Sequence, residues 1–388
     1  MSYPVIPQAT PGSPGSVPDA VPVEALLRRP NSPLAWAAML TLGLGGLGLS
    51  LVVVLWGGPV AALICTLLAA VSFPLVIAVS FWVDRYEPEP GRYRLAALGW
   101  GAVVAVGISV VGERLIFAVP GTTEFVDAAI SAPLVEEAAK GLFLVSIMLL
   151  RRAQLHGVLD GIVYATLVGV GFAFVEDIVY YLGTLTEDGA DSLAAIFLLR
   201  GVMGPFAHPL FTSATGIGIG LAVTSRRPAV RWLAPPAGFL VAVALHGLWN
   251  GSTFGGSDAY FTAYLGVMLP MLTGVLALAA WARYREGILL TGALQQLAAY
   301  GWVRPEDIRW VAQLSDRMSA RRFAKVHGGP RAARAVRAYQ QTMTEMAFLH
   351  VRASSGTAPA DVNDRMQALR QRSVALAPYM ILPPPALR

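Results

Sequence analysis

Cysteine and charged residues are both scarce in this chain of 388 residues. The single cysteine, Cys65, lies in an apolar run, which excludes an intrachain disulfide and leaves packing as its expected role. Charged residues make up 14% of the chain, against about 25% in ordinary soluble proteins. Hydrophobic residues make up 55%, and the mean hydropathy is +0.57. This composition excludes an ordinary soluble enzyme and predicts a membrane protein.

Long apolar runs fill the chain between Leu34 and Trp281. A helix needs about 20 apolar residues to cross a bilayer, and about eight runs meet that length. The fold class expected is therefore all-α, a polytopic transmembrane helix bundle of about eight spans. The predicted spans are residues 34–55, 60–82, 95–112, 126–150, 158–182, 194–223, 232–251 and 260–281. Small residues at every fourth position in several of these runs predict close helix packing, as at Gly161, Ala165 and Gly169, and at Gly216 and Gly220.

Polar segments flank the predicted transmembrane domain, residues 34–282. Residues 1–33 hold eight prolines and no early basic run, so we expect a disordered cytoplasmic arm and no secretory signal peptide. Residues 283–388 hold 16 Lys/Arg against 7 Asp/Glu, and the positions of Val336, Tyr339, Met343 and Met346 indicate an amphipathic helix. This region is predicted to be a small, basic, helical cytoplasmic tail. Its basic residues suit contact with anionic lipid headgroups, and no motif there indicates nucleic-acid binding.

The positive residues are distributed unevenly between the two ends of the predicted spans. One side has only Arg114 and the acidic loop TEDGAD, residues 186–191. By the positive-inside rule, both termini of this multi-pass protein are expected on the cytoplasmic side of the cell membrane. The arginines assigned to the cytoplasmic side are Arg28, Arg29, Arg85, Arg92, Arg94, Arg151, Arg152, Arg226, Arg227, Arg231, Arg283 and Arg285.

A pair of glutamates, Glu136 and Glu137, interrupts the fourth predicted span, and Lys140 follows one helical turn after Glu136. A charged side chain at mid-bilayer costs about 3 kcal/mol on insertion scales. Adjacent carboxylates in a medium of low dielectric should differ in proton affinity, and Lys140 can neutralise one of them. The alternative is a structural ion pair that joins helices. Ionisable groups within membranes mark functional sites more often, so we expect water activation by acid/base chemistry here.

Further polar residues lie in the later predicted spans. Glu176 and His208 lie in the fifth and sixth, and His246 and Asn250 share one face of the seventh. Asp177 is a weaker candidate, because it can simply be interfacial. One hypothesis makes His246 and Asn250 hydrogen-bond donors to a developing oxyanion. The other makes Glu176, His208 and His246 ligands of zinc with an open fourth position.

Four stretches, together with His208, resemble the PrsW family of intramembrane proteases, within the broader superfamily of CAAX prenyl endopeptidases and bacteriocin-immunity proteins. The resemblance covers residues from about 34 to 281, and its motifs lie in the same order on successive spans. The stretches are DRYEPEP (84–90), EEAAK (136–140), GFAFVED (171–177) and HGLWN (246–250).

The resemblance implies proteolysis of a single-span or membrane-anchored protein, which in relatives is an anti-sigma factor. It also implies that Glu136 and Glu137 are catalytic and that His208 and His246 are essential. Asp177 departs from the pattern, since relatives commonly have asparagine there. The family is described as metallopeptidases, yet the chain has no HExxH motif, so a zinc-dependent route and a metal-free route both stay open.

Two functions of other classes remain as alternatives. Buried Glu, His and Lys residues also form proton pathways in ion- or proton-coupled transporters. Such transporters often contain inverted repeats, and no such repeat is evident in this sequence. A non-catalytic membrane scaffold could use the same fold. Replacing Glu136 by Gln separates these functions, because only a protease would lose substrate cleavage while staying folded.

Overall fold

The computed structural model describes residues 33–86, 89–117, 119, 121–150 and 155–384. These residues are 88% helical and contain no strand, which confirms the all-α class. They divide into two compact units, the larger formed by 33–84 with 89–283 and the smaller by 85–86 with 284–384. The predicted N-terminal arm lies outside the described residues up to residue 32.

The larger unit is built from apolar helices joined by short turns. π-helical turns lie between several of them, at Trp100–Ala105, Asp127–Ser131, Phe197–Met203 and Tyr264–Met268. The last helix of the unit continues into the smaller unit. In chain order the helices are α1 (Pro33–Ser72), α2 (Pro74–Val83), α3 (Gly91–Gly99), α4 (Val106–Phe117), α5 (Glu124–Val126), α6 (Ala132–Leu150), α7 (Val158–Glu187), α8 (Ala190–Ile196), α9 (Ala207–Thr224), α10 (Pro228–Ser252), α11 (Gly256–Ala263) and α12 (Leu269–Ala299).

Five helical stretches of the described residues are long and apolar enough to cross a membrane. The protein is therefore an all-α polytopic membrane protein, as its sequence predicts. The stretches are Leu42–Val83, Gly91–Ile116, Val158–Glu187, Ala190–Thr224 and Pro228–Ala299.

The eight predicted spans correspond to fewer continuous stretches for two physical reasons. Gly58 (φ 79°), followed by Pro59, kinks α1 between the first and second predicted spans, so one stretch contains both. Between the seventh and eighth, α10 ends at Ser252 and α11 begins at Gly256 (φ 73°) after a single short turn, so these two spans also form one stretch. The fourth predicted span contains α6. Its Glu136, Glu137 and Lys140 make it more polar than the five stretches, so its composition alone does not identify it as a membrane span. The number of crossings stays a prediction.

Helix α7 is the central element of the larger unit, because 83% of its most apolar window is buried. It packs closely against α9 where Gly161 faces Gly216. A Cβ added to Gly161 would lie 2.1 Å from the carbonyl oxygen of Gly216. A Cβ added to Gly216 would lie 2.2 Å from the carbonyl oxygen of Gly161. A Cβ on Gly169 would likewise lie 2.8 Å from the carbonyl carbon of His208. The small residues therefore allow the close packing that the sequence predicts, and they bring the backbone of His208 against α7.

The smaller unit consists of the end of α12 together with α13 (Ile308–Ala312), α14 (Leu314–Ser354) and α15 (Val362–Leu376). Gly329 (φ 73°), followed by Pro330, bends α14 into two arms. The predicted amphipathic pattern is confirmed, because Val336, Tyr339, Met343 and Met346 are all buried. The basic region is therefore a folded helical unit with its own core.

Candidate active site

The ammonium group of Lys140 lies at the centre of a buried polar cluster. It donates to Glu136 Oε2 at 3.0 Å and to Glu137 Oε1 at 2.9 Å. It also lies 2.9 Å from Nδ1 of His208 and 3.8 Å from the centre of the Phe172 ring. Helical spacing explains the first two contacts, since residues three and four positions apart share a face. The Lys140 side chain is fully buried and sits among carboxylates that balance its charge.

The two glutamates differ in how fully they are engaged. Glu137 is 0% exposed, and its oxygens contact three groups: Lys140, His246 Nδ1 at 3.2 Å and the Thr212 hydroxyl at 3.0 Å. Among the described residues, Glu136 accepts a hydrogen bond from Lys140 only, and it is 5% exposed. Glu137 is therefore fixed by three hydrogen-bonding groups, whereas the Glu136 carboxylate can still accept a further hydrogen bond.

His208 lies at the start of α9, one turn before Thr212. Its Nε2 atom lies 2.6 Å from Glu176 Oε2, while its Nδ1 atom faces Glu136 Oε2 at 3.9 Å. A carboxylate at one ring nitrogen holds the proton there and leaves a lone pair on the other. This hydrogen-bond network assigns the His208 proton to Nε2. The basic nitrogen Nδ1 is thereby directed at Glu136 and Lys140.

His246, on α10, repeats this arrangement with its nitrogens exchanged. Its Nδ1 atom contacts Glu137 Oε1 at 3.2 Å, and its Nε2 atom lies 3.8 Å from Glu136 Oε2. The two imidazole rings meet edge to face with their centres 4.9 Å apart. Each histidine thus has one nitrogen held by an outer carboxylate and the other turned toward Glu136.

The structure brings together all three glutamates and both histidines that the sequence singled out. Asn250 lies on α10 one turn beyond His246, but its amide nitrogen donates to the carbonyl oxygen of Ala128 at 3.0 Å. This hydrogen bond ties α10 to the π-helical turn that precedes α6. In this geometry the Asn250 amide does not point into the cluster as an oxyanion donor.

A metal ion fits the donor set of the cluster. Among the described residues, Glu136, His208 and His246 each offer a ligand atom, and these atoms lie within 4.8 Å of one another. Two imidazoles and a carboxylate suit zinc and similar divalent ions, with a fourth position left open. Glu176 contacts the second ring nitrogen of His208, and Glu137 contacts that of His246. Metal-binding histidines usually have such a carboxylate at the nitrogen that does not bind the metal. The set differs from the sequence hypothesis in one ligand, Glu136 instead of Glu176, because Glu176 contacts the far nitrogen of His208.

Sequence reasoning missed two residues of the cluster, Arg200 and Thr212. The Arg200 guanidinium contacts Glu176 Oε2 at 2.5 Å and Asp177 Oδ1 at 2.7 Å. Each of the two residues has a sequence feature that could have identified it. Arg200 is a charged residue within an apolar stretch, which is costly unless it is paired. Thr212 lies four residues after His208 on the same helical face.

Asp84 and Glu89, of the first motif of the resemblance (DRYEPEP), lie elsewhere in the larger unit. The Glu89 carboxylate accepts a hydrogen bond from the Tyr164 hydroxyl at 2.5 Å, and Asp84 accepts one from the backbone nitrogen of Glu89 at 2.9 Å. Tyr164 lies twelve residues before Glu176 on α7, about 18 Å along a helix at 1.5 Å per residue. Glu89 is therefore bound to α7 at a point away from the cluster.

Comparisons with known proteins find similarity over the part of the chain that contains the cluster. The family model described as "PrsW family intramembrane metalloprotease" matches residues 89–275, which include every residue of the cluster. "Protease PrsW" of Geobacillus kaustophilus (strain HTA426) is 28% identical over 191 residues, 48% of this chain and 78% of the relative. "Protease PrsW" of Bacillus subtilis (strain 168) is 28% identical over 168 residues, 43% of this chain and 72% of the relative. No solved structure matches the chain significantly. Over residues 89–275, the chain is similar to the PrsW family of intramembrane metalloproteases.

Proposed function

We propose that this intramembrane protease hydrolyses a peptide bond of a single-span or membrane-anchored protein, using water activated by Glu136 with the aid of His208. The observation that carries the proposal is the convergence on one carboxylate. Glu136 Oε2 lies 3.9 Å from Nδ1 of His208 and 3.8 Å from Nε2 of His246, the two nitrogens that face away from the outer carboxylates.

Glu136 suits the role of general base better than Glu137. A base must have room for a water within hydrogen-bond reach, and the oxygens of Glu137 already contact Lys140, His246 and Thr212. We assign Glu137 to positioning of His246 and Lys140. Lys140 supplies the positive charge that buried carboxylates require.

The hydrolytic step needs few groups. A water bound beside Glu136 donates one hydrogen bond to that carboxylate. It donates the other to Nδ1 of His208, once the Lys140 ammonium, 2.9 Å from that nitrogen, has moved away. Its oxygen lone pair is then directed at the scissile carbonyl carbon. As the C–O bond forms, the proton moves to Glu136, and it is later delivered to the amine nitrogen when the C–N bond breaks. A positioned acid/base group of this kind accelerates a reaction about 100- to 10,000-fold.

A zinc ion is the second route consistent with the donor set. Glu136, His208 and His246 would hold it, and when bound it supplies Lewis acidity toward the scissile carbonyl. Glu176 and Glu137 would hold the outer nitrogens of the two histidines. Lys140 Nζ lies 2.9 Å from Nδ1 of His208, so this route requires the ammonium to leave that nitrogen. The two routes differ in their response to chelation.

The substrate class follows from the location of the site and from the family. The cluster lies on helices of a membrane bundle, with Glu136, His208 and His246 each 5% exposed or less. A scissile bond must therefore enter the bundle, which suits a lone helix that can unwind locally. By analogy with the family, an anti-sigma factor or a similar regulator cut by regulated proteolysis is the proposed biological substrate.

The test uses purified full-length protein, reconstituted with a fluorogenic single-span substrate. We expect the wild-type protein to cleave it and Glu136→Gln to lose cleavage while its unfolding midpoint stays near that of wild type. Near wild-type cleavage by the Glu136→Gln variant would overturn the assignment. Absence of cleavage by the wild-type protein on a panel of single-span substrates, with ion flux in the same vesicles, would favour a transporter. Chelation followed by zinc addition separates the two hydrolytic routes.

A further inference from the structure

Arg200 is a partly buried cation that the hydrolytic step does not use directly. Its side chain is 17% exposed, and it donates from Nη2 to Glu176 and from Nε to Asp177. The guanidinium carbon also lies 4.0 Å from the centre of the Tyr180 ring. The planar group is therefore fixed by two hydrogen bonds and by ring stacking at once.

Arg200 and His208 share one carboxylate oxygen. Glu176 Oε2 accepts from Arg200 Nη2 at 2.5 Å and lies 2.6 Å from His208 Nε2. Any rotation of the Glu176 carboxylate would therefore change both contacts together. The two residues also flank the Gly204-Pro205 break, with Arg200 on the π-helical turn Phe197–Met203 and His208 on α9.

We propose that Arg200 is a positioning residue for the protease. It fixes the Glu176 carboxylate, which in turn holds the proton of His208 on Nε2. The Nδ1 atom is then left unprotonated, facing Glu136 and Lys140. The inference rests on the proposed function, because it assigns Arg200 a role through His208. In metal sites, residues that hold a ligand histidine in place typically contribute about 10- to 100-fold to metal affinity or activity.

Asp177 explains how the arginine can be tolerated here. Asp177 is 3% exposed, and its carboxylate accepts a hydrogen bond from Arg200 Nε at 2.7 Å. Two negative groups flank one positive group, so one carboxylate charge remains to face His208. The aspartate is thus matched to Arg200 in this protein.

The experiment measures kcat and KM for single and double variants of the full chain on the single-span substrate. We expect Arg200→Gln to lower kcat about 10- to 100-fold with KM near its wild-type value. Arg200→Lys keeps the charge but loses the fork geometry, so we expect an intermediate kcat. Arg114→Gln removes an exposed arginine of α4 outside the cluster and serves as the matched control.

The decisive comparison is between Glu176→Gln and the double variant Glu176→Gln/Arg200→Gln. A residue that acts only through Glu176 adds nothing once that carboxylate is gone, so the two variants should have the same kcat. A further loss of tenfold or more in the double variant would overturn the inference, and so would wild-type kcat in Arg200→Gln. The double variant removes one charge of each sign, so the net charge of Glu176, Asp177 and Arg200 together stays as in the wild type. It therefore remains informative if Arg200→Gln fails to fold.

Failure of this inference is distinguishable from failure of the proposed function. If Glu136→Gln is inactive but Arg200→Gln has wild-type kcat, only the role of Arg200 is wrong. If Glu136→Gln is fully active, the proposed mechanism is wrong, whatever Arg200→Gln does.

Discussion

Lys140 and Glu137 form an ion pair 2.9 Å long in which both side chains are 0% exposed. The free energy of such a pair depends on both partners. Removal of Lys140 leaves the Glu137 charge buried without its cation, and removal of Glu137 leaves Lys140 with Glu136 at 3.0 Å. The same pair holds His246 and Thr212 through Glu137. Its integrity therefore affects both the stability of the bundle and the orientation of the site.

Glu137→Gln is expected to destabilise the protein by about 3–5 kcal/mol, since Lys140 would lose its closest carboxylate. The unfolding midpoint in detergent should fall accordingly. The double variant Glu137→Gln/Lys140→Met removes both charges and should recover part of that stability while remaining inactive. A double variant less stable than either single variant would contradict this account of the pair.

Glu136→Gln is expected to behave differently from its neighbour. Its kcat should fall at least about 100-fold, because the base is lost, while its unfolding midpoint should change less than that of Glu137→Gln. The paired measurement is cleavage rate and thermal unfolding on the same preparations. Equal destabilisation of the two variants would argue against the division of roles between the two carboxylates.

Thr212→Val tests the hydroxyl that anchors Glu137. The hydroxyl donates to Glu137 Oε2 at 3.0 Å in a fully buried position, so its loss should cost about 1–3 kcal/mol of stability. Thr212→Ser keeps the donor and should retain most of the stability and the cleavage rate. If the serine variant were as impaired as the valine variant, packing of the methyl group would be the dominant contribution.

Metal content discriminates between the two candidate ligand sets. We expect Glu136→Ala, His208→Ala and His246→Ala each to abolish bound divalent metal in purified protein, measured by elemental analysis. Glu176→Gln should still bind metal, with affinity weakened about 10- to 100-fold, because it is an outer partner of His208. Metal lost equally from Glu176→Gln would restore the sequence-derived ligand set. Metal-free wild-type protein that cleaves in the presence of chelator would establish the metal-free route.

The membrane topology is tested with reporter fusions. The arginine distribution predicts that the C-terminus is cytoplasmic and that the TEDGAD loop, residues 186–191, is on the opposite side. Fusions at these two places should therefore report opposite compartments. Reports from the same side would refute the predicted orientation.

Much of the fold could be predicted from composition and periodicity alone. Low charge and long apolar runs permit only helices or barrels in a membrane, and the runs have helical length, so the all-α class followed directly. The number of continuous helical stretches did not follow, because at Gly58 and at Gly256 the chain turns with positive φ and resumes a helix with no long loop between. A glycine in an apolar run gives no local indication of whether its backbone will turn.

The membrane-embedded polar residues could be identified from the sequence because an unpaired charge in a bilayer is costly, so such residues must meet one another. Arg200 and Thr212 met the same criteria of cost and spacing but were not recognised. Their partners lie on other helices, 24 and 75 residues away in the chain for Glu176 and Glu137 respectively. Periodicity places a residue on a helical face without showing which neighbouring helix that face meets.

The sequence by itself determined that the protein is a helical membrane protein, and it placed both histidines and the paired glutamates among the functional candidates. Only the tertiary structure decided which nitrogen of each histidine faces Glu136, which carboxylate is held in place, and where the Asn250 amide donates. These choices depend on the rotation and separation of helices to within about 0.5 Å and 10–20°, the tolerance that a functional site requires. Helical periodicity fixes the order of residues around one axis, but packing between close-approaching surfaces such as Gly161 and Gly216 fixes the axes relative to one another.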